Sequence, residues 1–297
     1  VERITRKVFG LVLMLMIFSS VGASNSELDW KFSGFGFWTG SWNKENGDNL
    51  SLRHVWLIAQ KPLREDITVT MIFAPQGPPR LVHNFVAVWK NPVQGIDRLT
   101  VGRFIPPFTR ESSSSRIDYL ETINYSGLAS SLVVRDDGIQ VDGSVYSLKW
   151  SLAAFGADER ICGFEDERRS GALHFYQRAV FDLPHNISIG AGSRLSRSDR
   201  RFLAAETSYQ TERTVITAEV LDNTENIQWY LLGARKVAPW LRLVLRYEDL
   251  AEGHNFIPGL RFSFGNYCEL KTNVEIPYDW SNSSPGRRVL SQLILRF

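Results

Sequence analysis

Charged and hydroxyl-bearing residues crowd one stretch of this chain. Arg110, Glu111, Arg116, Asp118 and Glu121 surround the serine run Ser112, Ser113, Ser114 and Ser115. Small hydroxyls suit a wet surface, and both signs of charge held close together act on passing ions through their field. A second set is dispersed: Arg53, Lys149, Arg178, Arg194, Arg242, Arg246, Arg261, Lys271 and Arg296 each fall on the polar side of a segment that alternates apolar and polar residues. Catalysis is the competing chemistry, and it needs a nucleophile and a base within hydrogen-bond reach. His174 stands near Tyr176, but no serine sits in a Gly-x-Ser-x-Gly turn. The five histidines and two cysteines show no metal-ligand spacing, so neither a metal nor a cofactor is expected.

The elements that must position these residues read as strands. Tyr146, Leu148, Trp150 and Leu152 alternate with Ser147, Lys149 and Ser151, and Leu241, Leu243, Leu245 and Tyr247 alternate with Arg242, Val244, Arg246 and Glu248. Leu260, Phe262 and Phe264 are set against Arg261 and Ser263, and Leu270, Thr272 and Val274 against Lys271 and Asn273. Period 2 with charge confined to one side is a strand pattern, not a helical one. Strands are expected near 30–42, 49–60, 67–75, 81–90, 97–104, 136–143, 145–156, 171–181, 186–195, 201–211, 213–222, 226–236, 239–249, 256–266, 267–277 and 287–297, sixteen in all.

The two ends of the sequence suggest where such a sheet would lie. Arg3, Arg6 and Lys7 precede an apolar stretch, Val8 to Val21, and then Gly22-Ala23-Ser24, the layout of a secretory leader cut after Ala23. That predicts a signal peptide over 1–23 and one barrel domain over 24–297. The closing run Val289 to Phe297 ends on an aromatic residue and resembles the last strand of bacterial outer-membrane barrels, the segment read by the barrel insertion machinery. The expected location is therefore the outer membrane of a Gram-negative type cell, with lipid around an all-β transmembrane antiparallel barrel. An apolar stretch of roughly 20 residues, as a transmembrane helix needs, occurs nowhere after the leader, so spanning requires a closed sheet in which every backbone group is paired. A soluble periplasmic sandwich is the alternative. The 34 basic and 32 acidic residues include three and one in the leader, which leaves the remainder neutral. Scattered arginines without a basic stripe exclude nucleic acid as the expected partner.

The longest link, about 105–135, separates the fifth and sixth strands. Loops this long inside a compact domain usually carry function. Pro106-Pro107 stops the strand before it. The segment Val101-Gly102-Arg103-Phe104-Ile105-Pro106-Pro107-Phe108-Thr109-Arg110-Glu111, the serines, and Asp118-Tyr119-Leu120-Glu121 resemble the phosphate-selective porin O/P family. Arg135-Asp136-Asp137-Gly138-Ile139-Gln140-Val141 and Trp150-Ser151-Leu152-Ala153-Ala154-Phe155-Gly156-Ala157 extend the likeness across 101–157. The resemblance implies a sixteen-stranded, commonly trimeric porin, whose loop after the fifth strand bends into the lumen as a constriction. It also implies passive diffusion of small hydrophilic solutes, favouring small anions such as phosphate. One departure concerns phosphate itself: the relatives use lysines near the constriction, and 105–135 contains none. A plugged, non-conducting structural barrel and an outer-membrane hydrolase are the alternatives.

Two further expectations follow from parity. Cys162 falls in an outer loop and Cys268 beside a periplasmic turn, at rims separated by about 25 Å or more, so no disulfide is expected. The tryptophans, Trp56 among them, lie in or beside strands where they would form interfacial girdles.

Overall fold

The computed structural model describes residues 30–43, 47–73, 82–113, 120–123, 126, 135–156, 173–196, 201–223, 225–251, 253–278 and 288–296. The first eight strands are β1 (Lys31–Asn43), β2 (Gly47–Pro62), β3 (Ile67–Phe73), β4 (Val82–Val93), β5 (Ile96–Phe104), β6 (Asp136–Val145), β7 (Leu148–Gly156) and β8 (Leu173–Leu183). The remaining eight are β9 (Ile187–Ser196), β10 (Arg201–Gln210), β11 (Thr214–Asp222), β12 (Ile227–Ala238), β13 (Leu241–Leu250), β14 (Gly253–Phe264), β15 (Cys268–Tyr278) and β16 (Arg288–Arg296). Each strand pairs antiparallel with its neighbours in sequence, and β1 pairs with β16, which closes the sheet into a barrel. Closure leaves no unpaired edge. The sixteen strands agree with the expected count and order.

Alternation sorts the side chains between two faces. On β13, Leu243 and Leu245 stay about half exposed, whereas Val244, Arg246 and Glu248 are buried. The same contrast appears on β8, where Leu173 and Phe175 are exposed and His174 is buried. The outer face is thus apolar and exposed, and the inner face holds the charges. Residues 1–23, the expected leader, and Phe297, Cys162, Trp280, Ser114, Ser115, Arg116 and Asp118 lie outside the described residues. Cys268 opens β15 beside the turn 265–267, as parity placed it, and carries a free thiol.

Three positions depart from the sequence reading. Arg53 lies where the β1–β2 register shifts: Phe37 pairs with His54 and Trp38 with Leu52, so Arg53 has no cross-strand partner. A bulge of this kind interrupts period 2 and removes the basis for placing Arg53 by parity. Trp56 lies on the inner face, not in an outer girdle, and packs with Phe35, Ile58, Ile72 and Ile294. Finally, β14 begins at Gly253, where a longer outer link over 250–255 was expected. Cross-strand contacts extend this hairpin: His254 Nδ1 lies 3.2 Å from Asp249 Oδ1, and its ring stacks on Tyr247.

Candidate pore constriction

The chain leaves β5 at Phe104 and turns inward through Pro106 and Pro107. Phe104 packs edge-on against Phe155 of β7, which meets Tyr176 of β8 in the same way. Phe108 then seats among Phe202, Ala204 and Leu221 on the inner faces of β10 and β11, with Tyr176 and Leu250 beside it. Gly192 of β9 makes room for this approach. A Cβ there would stand 2.3 Å from the Phe108 carbonyl oxygen, closer than any contact tolerates.

A helical turn, Arg110–Ser113, follows, with Ser113 N–H bonded to the Thr109 carbonyl at 2.9 Å. Arg110 Nη2 donates to Gln210 Oε1 of β10 at 3.0 Å. The Glu111 backbone N–H donates to Glu219 Oε1 of β11 at 2.8 Å. The Glu111 carboxylate accepts from the Ser126 N–H at 3.0 and 3.1 Å and from its hydroxyl. Arg246 Nη1 of β13 lies 3.5 Å from Glu111 Oε1 and donates to Thr122 Oγ1 at 2.5 Å. Burial pushes the Glu111 carboxyl above the ordinary carboxylate range, while Arg246 and Ser126 pull it down.

The next described segment, 120–123, is tied further around the wall. Glu121 accepts from Arg242 of β13 and, at 3.0 Å, from Arg261 Nη1 of β14. Lys271 Nζ of β15 donates to the Leu120 carbonyl at 2.6 Å. The described residues of the loop, 105–113, 120–123 and 126, therefore meet inner-face side chains from β8 to β15. Of the expected constriction residues, Arg110, Glu111, Ser113 and Glu121 are in or beside this segment, and Ser112 belongs to its helical turn.

Lys149, Arg178, Arg194, Arg242, Arg246, Arg261, Lys271 and Arg296 lie on β7, β8, β9, β13, β14, β15 and β16, and they are not bare. Arg178 forms a two-point pair with Glu206, Lys149 pairs with Asp182 at 2.5 Å, and Arg246 pairs with Glu248 at 2.9 Å. Glu269 faces Arg261, Lys271 and Arg296 at 2.8, 3.6 and 3.5 Å. Arg194 stacks over Phe202 and Tyr176 and meets His174 Nδ1. The expected field between a basic wall and an acidic loop is therefore largely closed by direct contact. Glu206, Glu219, Glu248 and Glu269 share the arginines' parity and were legible by the same rule, but a search confined to basic residues passes over them.

Among the described residues, cavities lie beside the loop and beside the arginines that hold it. The largest, about 900 Å³, opens at the short-turn end between Lys149, Asp182, His185 and Glu212. A smaller one, about 180 Å³, shares Arg110 and Gln210 with it and runs past Glu111 and Glu121. The third, about 390 Å³, lies at the turns 239–240 and 265–267, lined by Lys236 and by Arg242 and Arg261, the two arginines that hold Glu121. On the opposite wall the aromatic and aliphatic cluster around Trp56 fills the interior, with the Arg135 guanidinium 5.0 Å above the indole.

No family model matches the sequence, and no curated protein sequence matches it. Solved structures do. A loop L8 deletion mutant of OmpT, an outer membrane protein of Vibrio cholerae, superposes with a TM-score of 0.68 at 12% identity, covering 91% of this chain and 99% of the other. Salmonella typhi OmpF in complex with daunomycin gives 0.68 at 10%, covering 90% and 97%. A mutant of the Rh. blastica porin gives 0.61 at 12%, covering 91% and 100%. At such identity the likeness is one of fold: the closed sixteen-strand antiparallel barrel is an architecture shared with outer-membrane porins.

Proposed function

We propose that this protein is an outer-membrane porin, a passive diffusion channel for small hydrophilic solutes. The observation that carries the reading is the charged loop residues Arg110, Glu111 and Glu121, held by inner-wall side chains of a closed barrel with polar cavities toward its short-turn end. Narrowing by an inward loop makes local charge, not net charge, govern entry. The chain catalyses no reaction in this reading. The likeness of 101–157 to phosphate-selective porins supports a preference for small anions, and the paired state of most wall arginines makes that preference modest. The same likeness supports a homotrimer and insertion through the C-terminal strand. Planar-bilayer recording of the purified protein tests the reading: stepwise conductance is expected, with a reversal potential in a salt gradient on the anion side of zero.

One observation favours a second reading, a plugged structural barrel. Phe35, Trp56, Ile58, Ile72 and Ile294 fill one side of the interior, and Phe108 and Ile123 add apolar bulk from the loop. Absence of conductance in folded protein would establish it over the channel.

A further inference from the structure

Four basic residues stand in one row across the inner wall. Lys236 pairs in register with Arg242, Arg242 with Arg261, and Arg261 with Lys271. Like charges directly opposite each other across strands are destabilising, so a row of four needs counter-charge. Arg296 extends the arc through Glu269. Among the described residues, the carboxylates Glu121 and Glu269 stand against these cations. Lys236 has no side-chain partner among the described residues, and Arg242 uses one nitrogen, Nη1, on its one carboxylate partner there, Glu121. Both line the cavity of about 390 Å³, together with Arg261, Ser263 and Asn266. This cavity sits at the short-turn end, lined by the turn residues Trp240 and Gly265 and by Arg242 and Arg261, the partners of Glu121.

We propose that this arc is a docking site for solutes bearing two or three carboxylates, held on the periplasmic side of the constriction. The proposal rests on the channel reading and names its solute class. Glu121 demonstrates the recognition: one carboxylate bridges two guanidiniums, one oxygen on each. A second carboxylate from a solute meets Lys236 and the remaining Arg242 N–H groups, which form the charge-assisted bonds that arginine makes with carboxylates. Valence matters because a second or third carboxylate can reach Arg261, Ser263 and Asn266 while the first meets Lys236 and Arg242. Location matters equally, since a solute arriving from the short-turn end reaches the arc without crossing the loop.

The test is calorimetric titration of the full chain folded in detergent micelles, at low ionic strength, with propane-1,2,3-tricarboxylate, acetate and inorganic phosphate. Tricarboxylate is expected to bind, acetate to give no measurable heat, and phosphate to bind more weakly. The Lys236→Gln, Arg242→Gln double variant should lose about tenfold in affinity or more, whereas Lys90→Gln, on β4, should lose none. If the double variant does not fold, Lys236→Gln alone carries the comparison. Equal binding of acetate and tricarboxylate, or an unchanged affinity in the Lys236 variant, overturns the site. Phosphate binding as tightly as tricarboxylate overturns the ligand class. In bilayers, tricarboxylate should block from the short-turn side at lower concentration than from the other. Binding by a protein that passes no current would uphold the docking site and refute the channel.

Discussion

Glu121 Oε2 accepts a hydrogen bond from Arg261 Nη1 at 3.0 Å, joining the inward loop to β14 across 140 residues of sequence. With Arg242 on its other oxygen, this carboxylate neutralises part of the wall that would otherwise face the pore. Glu121→Gln should release both arginines and move the reversal potential toward anion preference. Neutralising Arg242, Arg246 and Arg261 together should move it toward cations, while Ser112→Ala should leave it near the parent value. Salt-gradient recordings decide this, and no shift in the triple variant would remove the arginines from any role in selectivity.

Arg246 is buried between Glu111, Glu248 and Thr122. Replacing it by methionine leaves two buried carboxylates without their cation. Loss of one partner from such a pair costs about 3–5 kcal/mol. Denaturant unfolding of the folded barrel should show a loss of that order for Arg246→Met, and a smaller one for exposed Lys149→Met, whose pair with Asp182 lies at the surface. Equal losses in the two variants would contradict the placement of Arg246.

Burial holds the Glu111 carboxyl above its ordinary range despite Arg246 and Ser126, and Glu248 adds to the upward push. A raised value in the folded state means that the protonated form is favoured there. Its contribution to anchoring the loop is complete below the ordinary carboxylate range and is lost as pH rises through the raised value. Proteolysis of the loop should therefore accelerate with rising pH, and Glu111→Gln should flatten the profile. A pH-independent rate in the parent would exclude this linkage.

Gly192 admits the Phe108 carbonyl against β9. Gly192→Val should displace the loop from the wall while leaving the barrel closed. The expected readout is a changed unitary conductance with unaltered heat-modifiable mobility on gels. Wild-type conductance in this variant would mean that the loop's position there does not set the constriction.

Leu245 lies on the outer face, exposed between buried Val244 and Arg246. Leu245→Arg should destabilise the barrel in lipid by about 2–4 kcal/mol if it sits near the bilayer midplane. The same change at Leu183, next to the short turn, should cost less. Refolding titrations in lipid vesicles measure the difference, and the reverse ranking would invert the assigned depth.

Alternation alone determined the strand count, the strand order and the inner face of β7 through β16. With period 2, a residue's face follows from its number as long as register holds, and burial of a charge against lipid is too costly to permit the opposite choice. Where register slips, as at Arg53, the rule assigns no face, and the sequence carries no sign of the slip. Trp56 was misplaced for a different reason: an indole suits a girdle or an interior equally, and the cluster with Phe35 and Ile294 forms only because β1 closes on β16. The pairing of the wall was equally a matter of closure. Glu121 meets Arg242 and Arg261, and Glu111 meets Arg246, because the barrel's curvature returns distant strands to a loop that leaves after β5. The sequence could show that the loop carries both charges and that the wall carries arginines. Which charge would cancel which depended on distances that only the closed sheet sets.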